Sequence, residues 1–334
     1  MPQTRPAGVH VRTPATSANL GPGFDSLGLA LGLYDEADVR ITGDGRLVVD
    51  VEGEGAGEVP LDSSHLIVRA MRAVFEQAGE PMPGLRLHCR NRIPHGRGLG
   101  SSASAIVTGV IAATALLSGR DPQDLRLDRD RVFRLAADIE GHPDNVAPCV
   151  YGGFTVAWRG GEDWCAAGVA ASARLRPIVC VPDERVSTEQ ARGLLPETVP
   201  HADAAFTAGR AALLVAAVSG HPELLLEATE DRLHERYRRP AMPESLRIAR
   251  ELRERDGLAA VVSGAGPTVL VLADAGPADG AATSAESPGV PEISDDLVDS
   301  VRRRAGKHWH IRPLAIDPAG AWIETPRSWT CVKE

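Results

Sequence analysis

Apolar and polar residues alternate along the chain in ways that predict most of its elements. Residues 8–13 and 37–51 alternate with a period of two, as strands do. Leu66, Ile67, Ala70, Met71, Val74, Phe75 and Ala78 recur at helical spacing, with Ser63 or Ser64 placed as a cap and Gly79 as a stop. Residues 85–89 read as a short strand leading into a glycine-rich stretch. Behind it, the small and apolar run 103–117 predicts a helix ending at Gly119. A helix over about 130–140 carries Val132, Leu135, Ala136 and Ile139 on one face and is broken by Gly141-His142-Pro143. Strands are expected near 150–158 and 175–181.

From 187 to 255 the pattern is mostly helical. Residues 258–263 and 268–273 are apolar runs joined by Gly264-Ala265-Gly266-Pro267, which reads as two strands with a tight connection. Residues 275–293, rich in Ala, Gly, Pro, Ser and Asp, read as a flexible insertion. A last helix over 295–305 precedes strands at 308–315 and 321–323, and 326–334 reads as an extension. Strands and helices are interspersed without strict βα alternation, which predicts an α+β fold. There is no internal repeat.

Composition narrows the function. The 334 residues suffice for one large or two medium domains. Hydrophobic content of 43% and charged content of 24% are ordinary for a globular protein. Aromatics are only 4%, so the core must be built from Ala, Val, Leu and Ile. A net charge of −9 without a long basic run argues against nucleic acid as a partner, and Arg302-Arg303-Arg304 reads as a solvated helix end. No run of 18 consecutive apolar residues and no apolar signal core in the first twenty argue against a membrane partner and for the cytoplasm. The five cysteines are scattered, with neither metal spacing nor a disulfide framework.

The glycine-rich stretch carries the chemistry. It runs Ile93-Pro94-His95-Gly96-Arg97-Gly98-Leu99-Gly100-Ser101-Ser102-Ala103-Ser104. Glycine lets the backbone approach a ligand closely and adopt positive φ. The first N–H groups of a helix have no internal partner and favour an anion. Such a loop running into a helix is a phosphate cradle, here neither a Walker loop nor a dinucleotide fingerprint. The alternative is a glycine-rich turn capped by serine.

Two further segments change that balance. One is Pro14-Ala15-Thr16-Ser17-Ala18-Asn19-Leu20-Gly21-Pro22-Gly23-Phe24-Asp25-Ser26-Leu27-Gly28-Leu29-Ala30. The other is Val262-Ser263-Gly264-Ala265-Gly266-Pro267-Thr268. The three in this order resemble the GHMP kinases. Within that superfamily, Asn19 with Asp25 and the run Glu140-Gly141-His142-Pro143-Asp144-Asn145 resemble the homoserine kinase branch. So do Tyr151-Gly152-Gly153-Phe154, Ser187-Thr188 with Arg192, and Leu233-His234 with Tyr237-Arg238. The resemblance covers about residues 9–324. It implies two α+β domains, an N-terminal ribosomal-protein-like one over 8–168 and a C-terminal ferredoxin-like one over 169–325. It also implies ATP-dependent phosphorylation of the side-chain hydroxyl of L-homoserine, with Mg²⁺, and is compatible with a homodimer. The alternatives are another GHMP kinase with a different hydroxylated metabolite, and a non-catalytic ligand-binding member.

The resemblance also assigns residues. Pro94 to Ser104 would hold the nucleotide. Ser102 matches a magnesium-facing serine, and Glu140 is the candidate metal-holding carboxylate, with Asp138 as competitor. Asn19, Asp25, His142, Thr188, Arg192, Arg238 and Gly264 would bind the acceptor. Asp25 offers an anion for the α-ammonium, and Arg192 and Arg238 offer planar forks for the α-carboxylate. Asn19, His142 and Asn145 offer hydrogen bonds near the hydroxyl. Structural alternatives stand beside these: Asn19 as a turn residue, Asp25 as a helix cap, Arg192 and Glu140 as surface charges.

Mevalonate-type relatives place an aspartate base near Asn145. Asparagine cannot accept a proton, so Asn145 is read as a catalytic positioning residue with no base assigned. Asp144 would point elsewhere if 144–145 were extended. His95 would bind phosphate if protonated, but reads more simply as tolerated at a solvent edge. His308 and His310 share a strand face without a third ligand, so no metal site is expected there.

Overall fold

Apolar alternation builds the first sheet around one long hairpin. Strands β1 (Gly8–Ala18) and β2 (Leu27–Ile41) pair antiparallel, with a register shift between Pro14 and Ala15, where proline offers no N–H to the ladder. This computed structural model describes residues 8–276 and 293–326. Most of the insertion expected at 275–293 and of the extension expected at 326–334 lies outside the described residues.

The pattern expected to be one strand over 37–51 is interrupted. β2 ends at Ile41, Gly43 and Gly45 turn the chain, and β3 (Leu47–Gly53) follows. After α1 (Leu66–Gln77), strand β4 (Leu85–Asn91) runs between them, antiparallel to β2 and parallel to β3. The N-cap of α1 is His65; Ser64 instead turns onto Asp62. The glycine loop leads into α2 (Ser101–Ser118), which ends at left-handed Gly119, and α3 (Arg129–Glu140) ends at left-handed Gly141.

The strand expected from 150 begins later. Residues 146–151 form a short helix, α4 (Val146–Tyr151), and β5 starts after two positive-φ glycines (Phe154–Gly160). Pro148 sits in the first turn of α4, where a missing N–H costs nothing. β6 (Asp163–Val169) completes a hairpin with β5, which pairs with the first residues of β2.

The second half starts with β7 (Leu175–Pro182), then α5 (Thr188–Gly193), α6 (His201–Ser219), α7 (Leu225–Ala228) and α8 (Pro243–Asp256). The hairpin β8 (Ala259–Val262) and β9 (Val269–Asp274) follows as expected, then α9 (Asp295–Ala305) and β10 (Trp309–Pro313). Its sheet has the order β10-β7-β9-β8, all antiparallel, which is the ferredoxin-like arrangement. The last strand, β11 (Trp322–Glu324), departs from the expected division. It leaves the second half and pairs with β1, covering an edge of the first sheet.

Small aliphatic residues fill three main cores. α1, α2 and α3 pack Met71, Val107, Val110 and Ala136 against Val11, Val39 and Leu87 of the first sheet. A second core joins the two sheets, where Leu29 and Leu31 of β2 meet Val179, Val261 and Leu270. The third lies under α8 and α9. Among the described residues two helices, α2 and α6, are long and apolar enough to cross a membrane by length and composition, with mean hydropathy 1.6 and 1.3. For α2 that apolarity is used inside the protein, between α1, α3 and β1.

Candidate active site

The glycine loop has the backbone its sequence requires. Gly96, Gly98 and Gly100 have φ of 65°, 76° and 71°. A Cβ at Gly98 would lie 2.2 Å from the Ser263 carbonyl oxygen, and one at Gly100 would lie 1.9 Å from Thr16 Oγ1. The loop is therefore clamped between β1 and the β8–β9 connection. Thr16 N–H donates to Leu99 O at 3.0 Å, and the Ser263 hydroxyl lies 2.6 Å from Gly98 O and 2.7 Å from Ser17 Oγ. Gly100 is the N-cap of α2 and no side chain caps it, so the first N–H groups face a cavity lined by Gly96, Gly98, Gly100, Ser101 and Ser102.

The other walls of this cavity, about 130 Å³, come from distant parts of the chain. From the end of α3 comes Glu140, whose Oε2 accepts a 2.8 Å hydrogen bond from Ser102 Oγ. Burial raises the Glu140 pKa, against the Ser102 hydrogen bond that favours its ionised form. Asp138, the competitor, faces β6 and accepts from Trp164 Nε1 at 2.9 Å. His142 and Asn145 line the cavity as well. His142 Nδ1 lies 2.9 Å from Asp144 Oδ1, which also accepts from Asn145 N–H. Burial works against a charged imidazole there, but Asp144 and Glu140 outweigh it and the pKa is raised.

The pair 144–145 is not extended: Asn145 has helical φ and ψ of −91° and −33° as the N-cap of α4. Asp144 therefore lines the same cavity as its neighbour. Thr16 Oγ1 donates to Asn145 Oδ1 at 2.8 Å, so the amide oxygen is occupied and the NH₂ is the remaining group.

The residues expected to bind the acceptor are held by a strained turn. Asn19, Leu20 and Asp25 have positive φ of 66°, 51° and 55°. Asn19, 3% exposed, accepts from Asp25 N–H and donates to Gly264 O, both at 2.9 Å. It joins the first motif to the third. Arg238 is 1% exposed and donates to the same Gly264 oxygen at 2.7 Å. Asp25 holds Arg192 through two hydrogen bonds of 2.6 and 3.1 Å. Thr188, Arg192, Arg238 and Gly264 all line the cavity, whereas Asp25 stands beside it.

Other residues of the loop face elsewhere. Pro94, Leu99 and Ala103 are buried, and Arg97 donates to Pro182 O and Asp183 O, both at 2.9 Å. Ser104 is buried on Thr13 Oγ1 at 2.7 Å. His95 is half-buried. It packs on Gly55, and burial lowers its pKa, which removes the charge a phosphate would need. His310 pairs with Asp183 at 2.9 Å.

Three features escape the sequence. The Phe24 ring lies 5.6 Å from the Arg192 guanidinium and 5.7 Å from that of Arg238. Asp35 is 9% exposed and accepts N–H from Arg92 and Ile93 at 2.7 and 2.9 Å, fixing the start of the loop from below. Burial pushes its pKa up to about 6. A second cavity, about 260 Å³, is lined by Val59, Pro60, His65, Leu66, Asn91 and His95 and shares Ser101 and Ser102 with the first.

The model of the GHMP kinase N-terminal domain matches residues 65–153, and that of the GHMP kinase C-terminal domain matches 213–290. Homoserine kinase from Streptomyces avermitilis is 51% identical over 322 residues, 96% of this chain and 97% of that protein. Homoserine kinase from Clavibacter michiganensis is 49% identical, covering 95% of this chain and 94% of that one. A crystal structure of homoserine kinase from Cytophaga hutchinsonii superimposes with a TM-score of 0.77 at 23% identity, covering 95% of this chain and 97% of that one, which shows the shared fold. The chain belongs to the GHMP kinases and, within them, to the homoserine kinase family.

Proposed function

We propose that the protein transfers the γ-phosphoryl group of ATP to the side-chain hydroxyl of L-homoserine, giving O-phospho-L-homoserine and ADP on the route to threonine. One observation carries the reading. An uncapped helix N-terminus in a glycine cradle, a hydroxyl–carboxylate pair and two arginines line one cavity. The second cavity meets it at Ser101 and Ser102. The base of ATP fits the apolar side of the second cavity, and its phosphates then fall on the N–H groups of α2. Unit 8–168 holds the nucleotide. Thr188, Arg192 and Arg238 of unit 169–325 close over the acceptor.

Mg²⁺ fits the donor set. Among the described residues there is no cluster of three or more His, Cys, Asp or Glu side chains for a metal. A hydroxyl and one carboxylate, Ser102 and Glu140, suit a cation that takes most of its oxygens from phosphate and water. Bound there, Mg²⁺ would neutralise phosphate charge. The chain's own residues do the rest: Arg192 and Arg238 take the carboxylate and Asp25 the ammonium. The Asn145 amide orients the hydroxyl, and Asp144 fixes the His142 ring beside it. No base is assigned, since a loose transition state lets the hydroxyl proton pass to the phosphoryl group. The proposal extends to a cytoplasmic location and to a homodimer, which sedimentation would test.

The deciding experiment is a coupled assay of ADP release over homoserine, serine, threonine, mevalonate and galactose, with Mg²⁺ titrated. Homoserine should be the fastest acceptor, and Ser102→Ala should shift the Mg²⁺ requirement upward. A faster acceptor among the others would replace homoserine in this reading.

A further inference from the structure

A single 3₁₀ turn, Glu235–Arg238, reaches the cavity only through its last residue. Its first residue is used elsewhere. Glu235 is half-buried, and its Oε1 accepts the N–H of Val262, the last residue of β8, at 2.7 Å. Two residues further on stands the Gly264 carbonyl that accepts from Arg238. The turn therefore grips the β8–β9 connection at two points. Asp231 caps the turn, accepting the N–H groups of Leu233, His234 and Glu235 at 2.8, 2.9 and 2.8 Å.

Arg238 itself is sparsely bonded. It is 1% exposed, and among the described residues its Nε is buried without a hydrogen-bond partner. A guanidinium held this lightly takes its direction from the backbone that carries it and from the groups that fix that backbone. Its own bond to Gly264 O competes with a ligand for the same fork, whereas the Glu235 bond is untouched by a ligand. We infer that Glu235 is a positioning residue for the reaction: through the Val262 N–H it pins the turn to β8, and so fixes the direction in which Arg238 presents its fork to an acceptor carboxylate. The inference rests on the acceptor reading above, which gives Glu235 no part. Burial and the Asp231 charge push the Glu235 pKa up to about 7, against the Val262 N–H and the Arg253 and Arg238 charges. Near neutral pH the group is then partly a neutral carboxyl, which still offers an oxygen to the Val262 N–H. The hydrogen bond, more than a full charge, is what the turn needs.

Two variants separate these contributions. Glu235→Leu removes the acceptor for the Val262 N–H, and Glu235→Gln keeps it. The KM for homoserine should rise about tenfold in the leucine variant, the order expected when a hydrogen bond to a charged group is misdirected. Both kcat at saturating homoserine and the KM for ATP should change by less than about twofold, the mark of lost uniform binding. The glutamine variant should restore the homoserine KM. Misfolding removes active molecules, which lowers kcat and leaves KM alone, so this split cannot come from it. With 3-amino-1-propanol, which is homoserine without its carboxylate, the leucine variant should show no such rise, since Arg238 then has nothing to hold. The positioning role is overturned by an unchanged homoserine KM in the leucine variant, by a glutamine variant as impaired as the leucine one, or by an equal loss with 3-amino-1-propanol. Each of these leaves the acceptor site standing. An unaltered protein that does not phosphorylate homoserine would overturn the acceptor reading and this inference with it.

Discussion

The two sides of the cavity are built from different materials. The glycine-loop side, where the phosphates are proposed to bind, is backbone: positive-φ glycines and the open end of α2, clamped by carbonyl and hydroxyl contacts from β1 and the β8–β9 connection. The opposite side, proposed for the acceptor, is side chain: Asp25 on Arg192, Asn19 and Arg238 on one carbonyl, His142 on Asp144. Backbone donors suit a ligand common to a whole superfamily, since they need only glycine and a helix end. Side-chain charges suit a particular acceptor, since each can be changed without rebuilding the loop. The contrast predicts that damage on the first side removes nucleotide binding, and that damage on the second changes rate or acceptor while ATP still binds.

The strongest attempt to break this contrast is Gly98→Val. Its Cβ would lie 2.2 Å from Ser263 O and 2.9 Å from Gly266 N, and the residue would be forced to keep φ of 76°. ATP affinity measured by calorimetry should fall by on the order of 100-fold, because an ångström-scale displacement suffices for that. Unchanged affinity would remove the loop from the site.

Asn145 tests the other side. Asn145→Ala should lower kcat by about ten- to a hundredfold through the lost hydrogen bond to the hydroxyl, with ATP affinity largely kept. Asn145→Asp keeps an acceptor for Thr16 but loses the NH₂ and adds an anion near Asp144 and Glu140. It should be slower than the unaltered protein at neutral pH, because the added charge repels the phosphate in a dry site. A faster aspartate variant with a new acid-limb pKa would establish that base catalysis was available here.

The smallest effect on rate, and a sharper test of how the loop is supported, belongs to Asp35. Its pKa is raised from 3.8 to about 6 by burial. The folded state therefore binds a proton that the unfolded state releases between these values, and stability falls as pH rises from about 4 to about 6. The window corresponds to roughly 3 kcal/mol, from about 1.4 kcal/mol per unit. Asp35→Asn keeps a carbonyl for the Arg92 and Ile93 N–H groups but cannot ionise. Urea midpoints at pH 4, 5, 6 and 7 should flatten relative to the unaltered protein, with kcat changed least of the four variants. An unchanged pH slope would place the titrating group elsewhere.

Much of the architecture was legible in periodicity. The helices at 101–118 and 129–140, the β8–β9 hairpin and the helix at 295–305 follow from apolar spacing and glycine stops. The failures have different causes. Residues 146–150 are apolar and buried, so periodicity could not separate helix from strand. Residues 37–51 keep their alternation across a glycine turn that separates β2 from β3. β11 is three residues long and owes its place to an open strand edge, a feature of the folded sheet alone.

Sequence by itself determined the glycine loop and the helix start behind it. Glycine spacing and a helix start are local, and the backbone geometry they allow is set within a few residues. Only the tertiary structure decided which charges meet. Asp25 and Arg192 stand 167 positions apart, Asn19 and Gly264 stand 245 apart, and Ser102 reaches Glu140 across 38. It also decided that Asp144 shares a cavity with Asn145 and that the half-buried His95 packs on Gly55. Neighbours of this kind are brought together by packing of whole elements, and burial and partner charges, which set the pKa of each group, exist only once that packing has formed.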